Sequence, residues 1–356
     1  MVGFGEVATT VVVIGAGQAG LSAAWHLKHR GIDAIIIDAH RNPGGAWQER
    51  RNSLTVGQLN GIFELPRYQV PDLDQDALVN ETVPRYFTGF EKHNGLRVLR
   101  PVRALSVQLS ESGDEGFLID TTAGRVRAQW VINATGTWDH PKRTDIPGQA
   151  TFRGIQRHTR DCRGPENFAG KRVAIVGAGI SAVQQLEEIS RPEYEAQTFW
   201  YTRRPPQWSR HFDGRDTVAR VAEDVKAGNQ SGSIVSYTGL YEDAPYIAAA
   251  HERGALRRRQ MFQRITPRGV VGASGAFTEL DAIVWATGFR PSLAHLAPSD
   301  LVNDRGGYHR GRDRGDRLTT LALDRFRPFA KHRGCQPRGP RRGYFHQTRA
   351  GLQKSG

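Results

Sequence analysis

The same local order of strand, glycine turn and helix occurs twice in this chain, and it constrains the fold more than any other feature. Residues 11–14 form an apolar, β-branched run that ends in the stretch GAGQAG at 15–20. Helical spacing follows, with Leu21, Ala24 and Leu27 on one face; Gly31 stops the helix, and 34–37 reads as a second strand. The order returns further on, with a strand over 173–176, GAGISA at 177–182, a helix through Leu186 and Ile189, and a strand ending at 199–201. Each stretch is a β-α-β unit, so the chain is predicted to be α/β with two Rossmann-like dinucleotide-binding domains.

The chemistry of such a turn is geometric. The first glycine turns the chain, the second lets backbone approach a diphosphate, and the third lets the helix pack on its strand while its N-terminus faces the phosphates. Gly15, Gly17 and Gly20 fit these parts, with Ala16, Gln18 and Ala19 completing the loop. Asp38 ends the next strand, 18 residues after Gly20, where a carboxylate can accept hydrogen bonds from ribose hydroxyls; the plainer reading is a solvated strand-end acid. The second loop has Gly177, Gly179 and Ser181, with Ala182 in the third position. Where the first unit has its acid, the second has Thr202-Arg203-Arg204, and an arginine fork there suits a ribose 2′-phosphate, which favours NADPH over NADH. A solvated basic turn ahead of Pro205-Pro206 is the alternative for Arg203 and Arg204.

Between the units, residues 96–108 and 116–128 read as strands of a β-meander, and 130–134 as a buried strand running into Thr135-Gly136. A second apolar strand, 282–286, also ends in Thr287-Gly288, which suggests a chain that leaves its first domain and later returns. The expected three-layer organisation is a first dinucleotide-binding domain over 8–160 and 281–302 with a second, 161–280, inserted in it.

These residues resemble the flavin-dependent monooxygenases that take electrons from NADPH. GAGQAG is similar to that family's FAD loop, and Gly44-Gly45-Ala46-Trp47 to its G-G-x-W motif, whose ring lies near the flavin. Ala134-Thr135-Gly136 and Ala286-Thr287-Gly288 resemble its A-T-G segments, and GAGISA its NADPH loop. F-R-G-I-Q-R-H at 152–158 resembles the F-x-G-x-x-x-H core of its linker, although the Trp or Tyr that closes the pattern is Cys162 here. The resemblance implies FAD and NADPH as cofactors, O2 and a small organic molecule as substrates, and oxygen transfer through a C4a-hydroperoxyflavin. It also implies candidate catalytic parts for His158 and for Asn60, which sits in an N-G turn. A linker histidine that orders a domain interface, and an ordinary turn asparagine, are the alternatives.

Composition closes other routes. The two cysteines, Cys162 and Cys335, are far apart with no C-x-x-C, so a redox dithiol of the disulfide-reductase kind is excluded, and no metal-ligand cluster is legible. Glu6 and the lack of Lys or Arg ahead of the first apolar run fit neither a signal peptide nor a membrane span, and a cytoplasmic protein is expected. Of the net charge of +13, residues 303–356 carry 12 Arg and 2 Lys against 4 Asp, so the body is nearly neutral and a nucleic-acid partner is not expected for it. That Arg/Gly-rich tail is too poor in apolar periodicity to order itself and lacks the strand and Gly-rich helix start that end the family's flavin domain. So abrupt a change is what a shifted reading frame produces. The competing reading is therefore a non-catalytic flavoprotein fold with a disrupted C-terminus.

Overall fold

A computed structural model describes residues 3–59, 62, 64–110, 116–210, 223, 239–299 and 321–323. In chain order the first half comprises β1 (Gly5–Ile14), α1 (Gln18–Lys28), β2 (Ala34–Ile37), α2 (Val79–His93), β3 (Val98–Leu99), β4 (Ala104–Leu109), β5 (Phe117–Thr121) and β6 (Gly124–Asn133). The second comprises β7 (Ile155–His158), β8 (Arg172–Val176), α3 (Ile180–Ile189), β9 (Gln197–Thr202), β10 (Trp208–Ser209), β11 (Leu240–Tyr241) and α4 (Pro245–Glu252). It continues through β12 (Arg258–Gln260), β13 (Arg264–Thr266), β14 (Gly269–Val271), β15 (Phe277–Glu279) and β16 (Ala282–Trp285), with β17 (Leu321–Leu323) beyond.

The first sheet runs β3-β2-β1-β6-β5-β4, parallel through β6 and antiparallel across the meander. Alternation along β1 divides its two cores. Val11 and Val13 face α1 and α2, where Leu21, Val83, Phe87 and Phe90 are buried, while Val12 and Ile14 face the meander with Val107, Phe117 and Ile119. Each fully buried side chain of this size contributes roughly 1.5–3 kcal/mol. Residues 116–133, expected as a strand followed by a separate buried one, turn instead at Thr122-Ala123, and β6 runs unbroken from its polar alternation into the buried Val131 and Ile132.

The second sheet, β12-β9-β8-β16-β7, is parallel throughout. Val173 and Ile175 pack toward α3 and α4; Ala174 and Val176 pack toward a small antiparallel sheet of β13, β14 and β15. Two strands expected with the first half pair here. β7 and β16, placed with the FAD-binding half, hydrogen-bond into the second sheet, β16 lying between β8 and β7. β16 is apolar throughout and would suit either sheet, β7 is Ile-Gln-Arg-His with a single apolar residue, and partner geometry decides for both. The return to the first domain occurs a few residues later, where Leu293 and Leu296 enter the meander-side core. Within the tail expected to lack structure, β17 adds to the first sheet in parallel beside β6, because main-chain pairing needs no particular side chains.

Candidate functional site

Both glycine loops sit at the C-terminal ends of their first parallel strands. In the first, a Cβ on Gly20 would lie 1.8 Å from the Gly15 carbonyl oxygen, so the turn closes only around glycine. At Gly17 the same added atom meets nothing within 4 Å, which leaves that face clear for a diphosphate to approach the backbone. Gly17 is also the N-cap of α1 and supplies no side-chain cap, while Ala16 and Ala19 point into the core. The second loop repeats the construction. Gly179 caps α3 without a side chain and is open on its outer face, Ser181 is exposed, and Ala182 is buried against the sheet. A buried indole supports it, since Trp200 Nε1 donates to the Gly177 carbonyl at 2.7 Å. Uncapped helix starts with an open glycine face fit nucleotide diphosphates.

Asp38 stands at the end of β2 but is 3% exposed, unlike a solvated strand-end acid. His40 donates to Oδ1 through its backbone N and Nδ1, each at 3.2 Å, and Arg100 Nε donates to Oδ2 at 3.2 Å. Burial pushes this carboxyl up, yet the His40 hydrogen bonds and the Arg100 charge outweigh it and hold it below its ordinary range. The Asp38 bond in turn raises His40. A carboxylate offers about four lone-pair directions, so Asp38 keeps acceptor capacity.

The G-G-x-W segment forms a 3-10 turn over Gly45–Glu49. An added Cβ on Gly45 would approach Gly17 Cα to 3.0 Å, so this turn lies directly against the first loop. Trp47 packs on the α1 side of the core, and the Arg50 guanidinium lies 5.1 Å from its ring centre and 4.2 Å from that of Trp138. Thr135 Oγ1 donates to the Ser292 carbonyl at 2.7 Å, and Ser292 N donates to the Gly136 carbonyl at 2.9 Å, which anchors the returning chain on the first A-T-G end. The second end is held likewise, Thr287 Oγ1 donating to the Lys142 carbonyl and Lys142 N to that of Gly288.

His158 is buried, and both ring nitrogens are engaged with backbone. Nε2 donates to the Gly288 carbonyl at 3.0 Å, and Nδ1 accepts from Arg160 N at 3.1 Å. Burial lowers its pKa, and the neutral ring meets Phe289 edge-on at 4.9 Å. Both ring nitrogens are thus engaged with backbone, one of them at the carbonyl of the second A-T-G end. Cys162 fills core space four residues on, its thiol pushed up to about 12 by burial and thereby unreactive. Asn60 lies outside the described residues. Arg203 and Arg204 are exposed just after β9, and Arg258 of β12 donates to Thr202 Oγ1 at 2.6 Å beside them.

The sequence reading missed the contacts that join the two halves. Arg51 Nε donates to both Glu188 oxygens, at 3.0 and 2.9 Å, and Ser53 Oγ to Oε2 at 2.8 Å, tying the stretch after G-G-x-W to α3. Trp138 stacks on Phe289 with ring centres 5.0 Å apart, joining the two A-T-G ends. Proximity of Arg50, Arg51, Trp138 and Phe289 to the motifs was the available signal; their partners were not. Among the described residues, no helix is long and apolar enough to cross a membrane, and no group of His, Cys, Asp and Glu is placed to hold a metal.

The profile of the family described as pyridine nucleotide-disulphide oxidoreductase matches residues 12–311. A solved flavin-containing monooxygenase from Stenotrophomonas maltophilia is similar over 89% of both chains, with 32% identity and a TM-score of 0.75. Senecionine N-oxygenase of Tyria jacobaeae is 24% identical over 68% of this chain, which spans 60% of that protein's length. A Baeyer-Villiger monooxygenase of Streptomyces coelicolor is 29% identical over 56% of this chain, which spans 38% of it. The chain belongs to the pyridine nucleotide-disulphide oxidoreductase family and, within it, to the flavin monooxygenase-like proteins.

Proposed function

We propose that the chain is an NADPH-dependent FAD monooxygenase that transfers oxygen from O2 to a small organic molecule. The observation that carries this reading is the pair of open-faced glycine loops, Gly15 to Gly20 and Gly177 to Ala182, whose sheets meet through the Trp138–Phe289 stack. Bound FAD, reduced by NADPH and reoxidised by O2, would supply the redox chemistry. The protein's share is placement and exclusion of water. Gly15, Gly17, Gly20 and the start of α1 would hold one diphosphate, with Gly45 closing on it and Asp38 offering its remaining lone pairs to ribose. Gly177, Gly179 and Ser181 would hold the other, with Arg203 and Arg204 near the 2′-phosphate. Thr135, Gly136, Thr287 and Gly288 keep the strand ends together; His158 positions Gly288 and Trp47 walls the junction.

Substrate class is open among those that the relatives' names suggest, nitrogen centres and ketones. The test is NADPH-driven oxygen uptake by purified protein with added FAD, with and without amines, sulfides and ketones. Substrate-stimulated uptake with an oxygenated product is expected. A colourless protein that consumes no NADPH would refute the reading and favour a degenerate flavoprotein fold.

A further inference from the structure

Arg50 and Arg51 are neighbours with opposite surroundings. Arg51 is neutralised by Glu188. Arg50 has no carboxylate at pairing distance among the described residues, and its Nε is shut off from solvent with no hydrogen-bond partner. Nearby acids are engaged elsewhere: Glu49 Oε2 accepts from Trp138 Nε1 at 2.7 Å and Oε1 pairs with His40, while Asp139 pairs with Arg160. Burial beside Arg51 pushes the guanidinium down to about 10, so it remains charged at neutral pH. Stacking between two indoles compensates only part of the lost hydration of a cation.

The position of this charge matters as much as its isolation. Arg50 directly follows the turn that rests on Gly17, and the second indole it touches, Trp138, stacks on Phe289 beside Gly288. The cation therefore stands close to both the first glycine loop and the residues that join the A-T-G ends of the two sheets.

We infer that Arg50 is an anion-receiving fork at this junction, taking a carboxylate or comparable negative group of an organic molecule bound there. The inference rests on the flavin monooxygenase reading for what the junction is used for. The negative group has two possible sources, a carboxylate on the substrate or the charge that the flavin ring itself acquires on reduction.

The experiment uses full-length protein loaded with FAD, as wild type, Arg50→Met and Arg50→Lys, at matched FAD occupancy. In one arm, phenylacetate and phenylacetamide are titrated while tryptophan fluorescence and flavin absorbance are followed. If the source is substrate, wild type binds the acid at least about tenfold more tightly than the amide, Arg50→Met loses that preference and Arg50→Lys keeps part of it. In the other arm, sulfite, which forms a negatively charged adduct with oxidised flavin, is titrated. If the source is the flavin, Arg50→Met weakens sulfite affinity at least about tenfold. Arg50→Met should melt no lower than wild type, because an unpaired charge has been removed. Unchanged behaviour of Arg50→Met in both arms overturns the inference. A protein that never takes up FAD defeats the flavoprotein reading instead, and the fluorescence arm, which needs no flavin, still decides Arg50.

Discussion

Replacing Glu188 with Gln tests the joint between the two nucleotide-binding halves. Glu188 is 1% exposed and the Arg51 side chain 9%; the pair is bidentate, with its shortest contact at 2.6 Å and Ser53 Oγ adding a bond at 2.8 Å. Removing one partner of a buried pair leaves the other charge uncompensated, at a loss of about 3–5 kcal/mol. Gln preserves the shape and can still accept from Ser53, so the lower end applies, about 3 kcal/mol. At roughly 2–4 °C per kcal/mol for cooperative units of 150–250 residues, the midpoint should fall by about 6 °C or more. Thermal unfolding of the FAD-loaded and FAD-free protein reads this directly. Arg51→Met should behave likewise, because it strands the carboxylate. The double variant Arg51→Met/Glu188→Leu removes both charges together and should recover most of the loss. If each single variant loses under about 1 kcal/mol, or the two losses simply add in the double, the charges are not coupled and the reasoning fails.

Other expectations follow from single positions. Gly20→Ala should fail to fold, with its Cβ 1.8 Å from the Gly15 oxygen, whereas Gly17→Ala, open within 4 Å, should fold but bind FAD at least about tenfold more weakly in a fluorescence titration. His295 is buried, donates from Nε2 to Asn133 Oδ1 at 2.9 Å, and is pushed down to about 4 by burial and then by His140. The unfolded chain takes up this proton near pH 6.5 and the folded one only near 4, so stability present above pH 6.5 is lost on acidification. About 2.5 kcal/mol should disappear between pH 7 and 4.5 in urea titrations, and His295→Gln should flatten that slope. Arg203→Ala/Arg204→Ala should raise the KM for NADPH at least about tenfold while leaving NADH use nearly unchanged; equal effects on both would remove the 2′-phosphate assignment.

Much of the architecture was legible because its causes are local. The close approach of Gly20 to the Gly15 carbonyl is a constraint within six residues, and alternation in β1 separates two cores regardless of what lies beyond them. The meander is legible in outline from the same short-range patterning, although its turn at Thr122-Ala123 is not.

What no local pattern decided was partnership across long separations. β16 is an apolar strand that either sheet would accept and β7, Ile-Gln-Arg-His, carries little pattern at all, so only packed geometry put them in the second. Asp38 reads from the sequence as a ribose-hydroxyl acceptor, but nothing local shows that Arg100, 62 residues away, and His40 enclose it. His158 reads equally as a catalytic or an interface-ordering residue, and only the fold shows that Gly288 and Arg160 engage its two nitrogens. Arg50 and Arg51 are the same residue type at adjacent positions, yet Arg51 meets Glu188, 137 residues away, and Arg50 meets two indole faces and, among the described residues, no acid. Glycine sterics act within a turn and can be read from the turn. Charge compensation acts through space, so only the folded chain determines which cation is neutral in effect and which is left to attract a ligand.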